Sequence, residues 1–128
     1  LARLAASSGA EVDFLGRVGR DELARLLDGA AMVLMPSRYH EFSPYSALEA
    51  MAAGVPVLAS RLGGLPELIG AERCLPPNDA PALAERMTDL WERPDLREHE
   101  GESLLHRAKE RHTEGPYVER LLDLYERL

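Results

Sequence analysis

The 128 residues carry 22 acidic and 15 basic side chains, a net charge of −7, and 45% hydrophobic residues. That length and balance suit one globular domain with a sizeable core. They exclude the dense basic surface of a general nucleic-acid binder, although an acidic chain can still hold a small anion on helix-terminal amides.

Leu1, Leu4 and Ala5 recur at helical spacing, and Gly9 stops the pattern. Residues 12–15 are a short apolar run ending at Gly16, read as a strand and its exit loop. Leu23, Leu26, Leu27 and Ala30 form one helix face, with Asp21 and Glu22 in the first turn and Gly29 near the end. Residues 31–35 are apolar throughout, as in a strand covered by helices on both faces, and Pro36 ends it. Ser43 fits an N-cap and Pro44 the first position of the next helix. Gly54 suits the position after its C-cap, and Pro56 prevents continuation. Residues 57–59 read as a second buried strand, 63–64 as a loop, and Leu65–Ile69 as a helical turn. Residues 73–75 are the expected last strand, and Asp79 the cap of a helix bearing Leu83, Met87, Leu90 and Trp91. Pro94 opens a charged helix reaching about Arg111. Gly115-Pro116 then separates a final helix with Tyr117, Leu121, Leu124, Tyr125 and Leu128 on one side.

Short buried strands alternating with helices predict an α/β fold: a Rossmann-like parallel sheet with flanking helices, followed by an all-helical C-terminal third. Ligands bind such sheets outside the carboxyl ends of the strands. Three loops leave those ends, at 16–19, 36–43 and 60–66, and the middle one is the most informative. Glu41 borders the helix start, and Glu49 lies eight positions later. Helical side chains lean toward the N-terminus, so Glu49 is expected to reach the cleft that Glu41 borders. Amides for a diphosphate and two carboxylates for vicinal hydroxyls would then share one site. A glutamate near a helix start is also favoured by the helix dipole alone, so the pair gains meaning only from context.

That context is a resemblance. Met35-Pro36-Ser37, then Glu41-Phe42-Ser43-Pro44-Tyr45, then Glu49-Ala50-Met51-Ala52-Ala53-Gly54-Val55-Pro56-Val57 resemble the signature of group 1 glycosyltransferases, the GT-B enzymes of family four. The flanks Phe14-Leu15-Gly16-Arg17-Val18 and Gly63-Gly64-Leu65-Pro66-Glu67 resemble the family's neighbouring segments, so the likeness covers about residues 10–110. It implies part of the C-terminal, donor-binding domain of a GT-B fold, spanning 1–128 as one truncated domain. The acceptor domain and the first strand–helix–strand portion of the donor domain are expected to lie outside this chain. By resemblance, Glu41 is the catalytic residue and holds hydroxyls of the donor sugar, while Glu49 holds the ribose. Phe42, Ser43 and Tyr45 would present amides to sugar and diphosphate. Arg17 and Val18 would border the nucleobase, and Gly63 and Gly64 would allow close backbone approach. The implied parent transfers a sugar from a nucleotide diphosphate to an acceptor with retention and without a metal or other cofactor. The acceptor, a glycan, lipid or small molecule, would be held by the missing N-terminal domain, and the chain alone is expected to be inactive.

Two departures stand out. Pro44 has no amide to donate where many relatives have glycine, and the family's diphosphate-neutralising Arg and Lys would precede Leu1. Arg38 and Arg61 match neither position and read as loop-surface residues. Cys74, in the apolar stretch Cys74-Leu75-Pro76, reads as a buried thiol, and one cysteine excludes a disulfide. His40 reads as incidental, His99, His106 and His112 as solvent-exposed, and the charges from 92 to 111 as a solvated face. Trp91, Tyr117 and Tyr125 read as core or interdomain packing. No apolar run approaches the ~20 residues of a membrane helix. The chain opens on Leu1 without a signal segment, so a cytoplasmic piece of a longer protein is expected, membrane-associated only through parts outside it. A truncated sheet edge makes homodimerisation an expectation. The alternatives are a non-catalytic nucleotide-binding or interaction module and a related GT-B epimerase or phosphorylase.

Overall fold

Strand β2 (Val57–Ser60) is buried at all four residues and anchors the sheet. The computed structural model describes residues 2–127, so Leu1 and Leu128 of the helical patterns lie outside the described residues. β1 (Val33–Met35) and β3 (Cys74–Leu75) flank β2, both parallel to it, in the order β1-β2-β3. Val33 stands opposite Val57, Met35 opposite Ala59, and Ser60 opposite Leu75. Parallel pairing demands crossovers. Helix α3 (Tyr45–Ala52) joins β1 to β2, and α4 (Leu65–Ile69) with a 3-10 turn (Ala71–Arg73) joins β2 to β3. The remaining helices are α1 (Ala2–Ser8), α2 (Arg20–Asp28), α5 (Ala80–Glu92), α6 (Pro94–Arg111) and α7 (Glu114–Glu126).

The core gathers Ala47, Ala50 and Met51 of α3, Val57 and Ala59 of β2, Leu65, Leu68 and Ile69 of α4, and Leu104 and Ala108 of α6. Each fully buried Leu, Ile or Met contributes about 1.5–3 kcal/mol in area removed from water. α3 ends as its sequence predicts. Gly54 takes φ +70°, its amide bonds Met51 O at 3.0 Å, and the Val55 amide bonds Ala50 O at 2.9 Å. This is the paired closure that a left-handed glycine permits after a helix. It brings Gly54 against α6, where a Cβ on Gly101 would lie 2.0 Å from Gly54 O.

Several expectations change. Residues 12–15 form no strand. They make no backbone hydrogen bonds to a neighbour among the described residues, and Phe14 stays 62% exposed. A strand satisfies its polar groups only through a partner, so the apolar run alone could not make one. β1 is not covered on both faces: Met35 is buried while Leu34 faces solvent. Arg73 belongs to the 3-10 turn, not to β3. Helix α3 starts one residue late, with Pro44 at the cap and no side-chain cap bond, so Ser43 is not the N-cap. Pro44 sits at φ −69°, ψ 122°, the extended setting that its ring tolerates. Gly115 and Pro116 lie within the first turn of α7, where proline displaces no helical hydrogen bond. The apolar side of α7 is not core: Tyr117, Leu124 and Tyr125 are exposed, as is Trp91 of α5.

The charged helix α6 is the largest departure. It packs chiefly on α3. Glu100 is buried, with Oε2 at 2.5 Å from Arg73 Nε and Oε1 at 2.8 Å from Arg86 Nη2. The two atoms of the first contact have only each other as polar partners among the described residues. Arg73 continues to Ile69 O at 2.9 Å and Ser103 Oγ at 3.2 Å. The pattern of alternating charges hid this network, because partners 27 residues apart on different elements leave no local signal.

Candidate functional site

β1 delivers its chain end into the loop of residues 36–44. Ser37 Oγ donates a hydrogen bond to Glu41 Oε1, which fixes the carboxylate within the loop. The next loop closes over the same segment, with the Gly64 amide bonding Glu41 O at 2.7 Å. A Cβ on Gly63 would lie 2.2 Å from Glu41 O, and one on Gly64 would lie 2.0 Å from Phe42 O. Gly63 also needs φ +57°. Both glycines therefore permit close backbone approach, and what approaches is the loop carrying Glu41 and Phe42.

Helix α3 opens immediately afterwards. Pro44 O accepts from the Ala47 amide at 3.1 Å and the Leu48 amide at 3.4 Å. The amides of Ser43, Tyr45 and Ser46 have no acceptor among the described residues. This turn can therefore bind an anion without any basic side chain. Tyr39, Phe42 and Tyr45 stand around it, all more than 80% exposed. Exposed aromatics of that size offer stacking faces to a ring.

Glu49 is exposed one turn further along. It lines a cavity of about 330 Å3 with Tyr45, Leu48, Lys109 and His112. On its other side it lines one of about 480 Å3 against Arg20, Leu23 and Leu27 of α2. Glu41 borders neither. The structure thus joins Glu41 to Gly63 and Gly64, and Glu49 to Tyr45. Arg17 is exposed, Val18 is half-buried, and both lie in the irregular segment before α2.

Two features escaped the sequence. A cavity of about 490 Å3 lies at the carboxyl ends of the strands, lined by Pro36, Arg38, Ser60, Leu75 and Asn78 among others. Arg38 is an exposed loop residue, as expected, and its Nε donates to Asn78 Oδ1 at 2.8 Å, bracing Asn78 at φ +63°. The strand-end rule predicted a cleft, but the tie between loops 40 residues apart had no local sign. Arg61 likewise bonds Cys74 O at 3.0 Å. Burial pushes the Cys74 thiol up, aided by Glu72 and opposed by Arg61 and Arg73, so it stays a protonated structural side chain.

The second feature is cationic. Arg107, Arg111 and His112 at the end of α6 and Arg120 of α7 border a cavity of about 520 Å3 with Phe42, Ser43, Gly64 and Glu67. Burial, then Arg120, Arg107 and Arg111, hold the His112 imidazole below its ordinary value. The i, i+4 pair Arg107 and Arg111 was a legible sign of a common helix face.

Comparison with known proteins agrees with this fold. The family profile described as "Glycosyl transferases group 1" matches residues 1–93. The D-inositol 3-phosphate glycosyltransferase of Streptomyces coelicolor is 36% identical over 114 residues, which is 85% of this chain and 25% of that protein. The sucrose synthase of Acidithiobacillus caldus is 36% identical over 111 residues, 80% of this chain and 14% of that protein. Among solved structures, sucrose-phosphate synthase from Thermosynechococcus elongatus superimposes with a TM-score of 0.84 at 29% identity, covering 98% of this chain and 33% of that one. The chain spans a third or less of the length of these relatives. No helix among the described residues is long and apolar enough to cross a membrane.

Proposed function

The chain belongs to the group 1 glycosyl transferases and carries part of their GT-B, Rossmann-like fold; from that premise we propose that it is the donor-binding part of a nucleotide-sugar glycosyltransferase. The observation that carries the reading is the turn opening α3, where unbonded amides adjoin Glu41, whose carboxylate accepts from Ser37 and whose backbone carbonyl accepts from the Gly64 amide. Amides at a helix start stabilise a departing diphosphate, and carboxylates hold sugar hydroxyls. In the proposed reaction the bond from the anomeric carbon to the phosphate oxygen breaks, its electrons leave with the nucleoside diphosphate, and the acceptor hydroxyl oxygen bonds that carbon with retention while its proton passes to the departing phosphate oxygen. The enzyme is hexosyltransferase-like and needs no metal in this proposal. The acceptor is engaged by protein outside these 128 residues, and the chain alone transfers no sugar.

Glu49 is assigned to the ribose and Glu41 to the sugar, which gives a separable test. Calorimetric titration with a nucleoside diphosphate and with the matching nucleotide-sugar should show Glu49→Gln weakening both by about tenfold or more. Glu41→Gln should weaken the nucleotide-sugar and spare the nucleoside diphosphate. Wild-type affinity for both ligands in both variants overturns the assignment. Transfer by the 128-residue protein at the rate of a full-length relative overturns the proposed inactivity.

A further inference from the structure

We propose that Arg107, Arg111, His112 and Arg120 form a binding site for a phosphate group at the junction of α6 and α7. In a chain with 22 acidic and 15 basic residues, three arginines and His112 border one open cavity of about 520 Å3. Among the described residues none of the four is ion-paired. The side chains of Arg107 and Arg120 are held where they stand. Arg107 donates to Leu68 O and Glu67 O, both at 2.7 Å. Arg120 Nε donates to Pro116 O at 3.1 Å and its Nη2 to Arg111 O. The His112 amide is fixed on Ala108 O at 2.9 Å. Arg111 has no side-chain partner among the described residues and is free to turn toward a ligand. Ser43 adds a hydroxyl to the opposite wall. Preset guanidinium groups in a partly enclosed space suit an oxyanion of two charges, since arginine meets phosphate through paired N–H bonds.

The groups facing His112 are Arg107, Lys109 and Arg111 of α6, Arg120 and Glu114 of α7, Glu49 of α3, and Glu67 across the cavity. The carboxylates are outnumbered, and after burial, the largest cause, Arg120, Arg107 and Arg111 add to the lowered affinity of the imidazole for a proton. A dianion seated among these groups reverses that balance. Its arrival must raise the proton affinity of His112, because the two binding events are linked.

The test is an NMR titration of the His112 ring in the protein, with inorganic phosphate as the probe and chloride at matched ionic strength as the control. The expected result is a saturable rise in the His112 midpoint with phosphate and none with chloride. Arg111→Gln should raise the phosphate dissociation constant about tenfold. An unmoved midpoint, an equal response to chloride, or an undiminished response in Arg111→Gln overturns the site. The wild-type measurement alone can do so, even should the variant unfold. Repeating the titration with a hexose phosphate and with a nucleoside diphosphate identifies the source: tighter binding of either assigns the phosphate to a sugar or to the departing group, and equal affinities assign it to free phosphate. The proposal stands on the cluster and not on the donor reading. A phosphate response without nucleoside diphosphate binding would sink the latter alone.

Discussion

The two ends of α6 treat charge in opposite ways. In its N-terminal half, Glu100 is buried and ion-paired with Arg73 and Arg86. Two turns later, Arg107 and Arg111 border an open cavity with no carboxylate paired to them. The residue types are alike, and the sequence between them reads as one continuous polar helix. Burial separates their roles. A charge enclosed with its counter-charge has spent its field on structure, whereas an unpaired charge at a cavity keeps it available for a ligand. Gly101 lets α6 approach α3 closely enough to bury Glu100, which ties this difference to a single missing Cβ.

Breaking the buried end should have the largest effect. Glu100→Gln leaves Arg73 and Arg86 with only the more exposed carboxylates of Glu72 and Asp89, and the expected loss is about 3 kcal/mol, the low end for breaking a buried pair, read from the urea midpoint. Replacing Arg73 and Glu100 together by apolar residues of similar volume should recover much of that loss. A loss of under about 0.5 kcal/mol for Glu100→Gln would mean that water reaches the pair, and would remove the contrast between the two ends. Arg107→Gln sharpens the same comparison at the open end. It deletes two hydrogen bonds to the carbonyls of Glu67 and Leu68, each contributing about 0.5–1.5 kcal/mol, so a loss of about 1–3 kcal/mol is expected. The same substitution should weaken phosphate binding, whereas Glu100→Gln should change it only through the folded fraction.

The comparison also shows what a sequence makes legible. The parallel sheet, α3 with its Gly54 closure, and the Asp79 cap bonding the Ala82 amide at 3.0 Å follow from local chemistry. So does the polar mouth around Glu41, because Gly, Pro, Ser and Glu cluster there in a motif. What stayed hidden depends on partners distant along the chain. Residues 12–15 have strand composition, but no neighbour supplies hydrogen bonds. The apolar stripe of α7 has the period of a buried helix, yet α7 packs mainly on α6, leaving Tyr125 66% exposed. Glu100 stands in a run of charges that gave no hint of Arg73. Periodicity states which face could be buried; only the tertiary arrangement states whether anything covers it.

The smallest effect probes the open end through pH. The folded structure lowers the His112 pKa, chiefly by burial and then through Arg120, Arg107 and Arg111. The unfolded chain therefore binds this proton more readily, with a pKa of about 6.5. Above that value His112 is neutral in both states and costs nothing. As pH falls below it, the unfolded state gains its proton first, and stability is lost until the pH reaches the lower folded value, where the loss levels off. His112→Gln should remove this part of the slope, so the difference in urea midpoint between wild type and variant should change from pH 8 to pH 5. Arg111→Gln should shrink that change without abolishing it, because Arg107 and Arg120 remain. Saturating phosphate should shrink it too, and for the same reason, since a bound dianion offsets the arginines. A difference between wild type and His112→Gln that is constant across the range would mean that the arginines do not act on this imidazole, and the open end of α6 would then be as silent electrostatically as any solvated helix face.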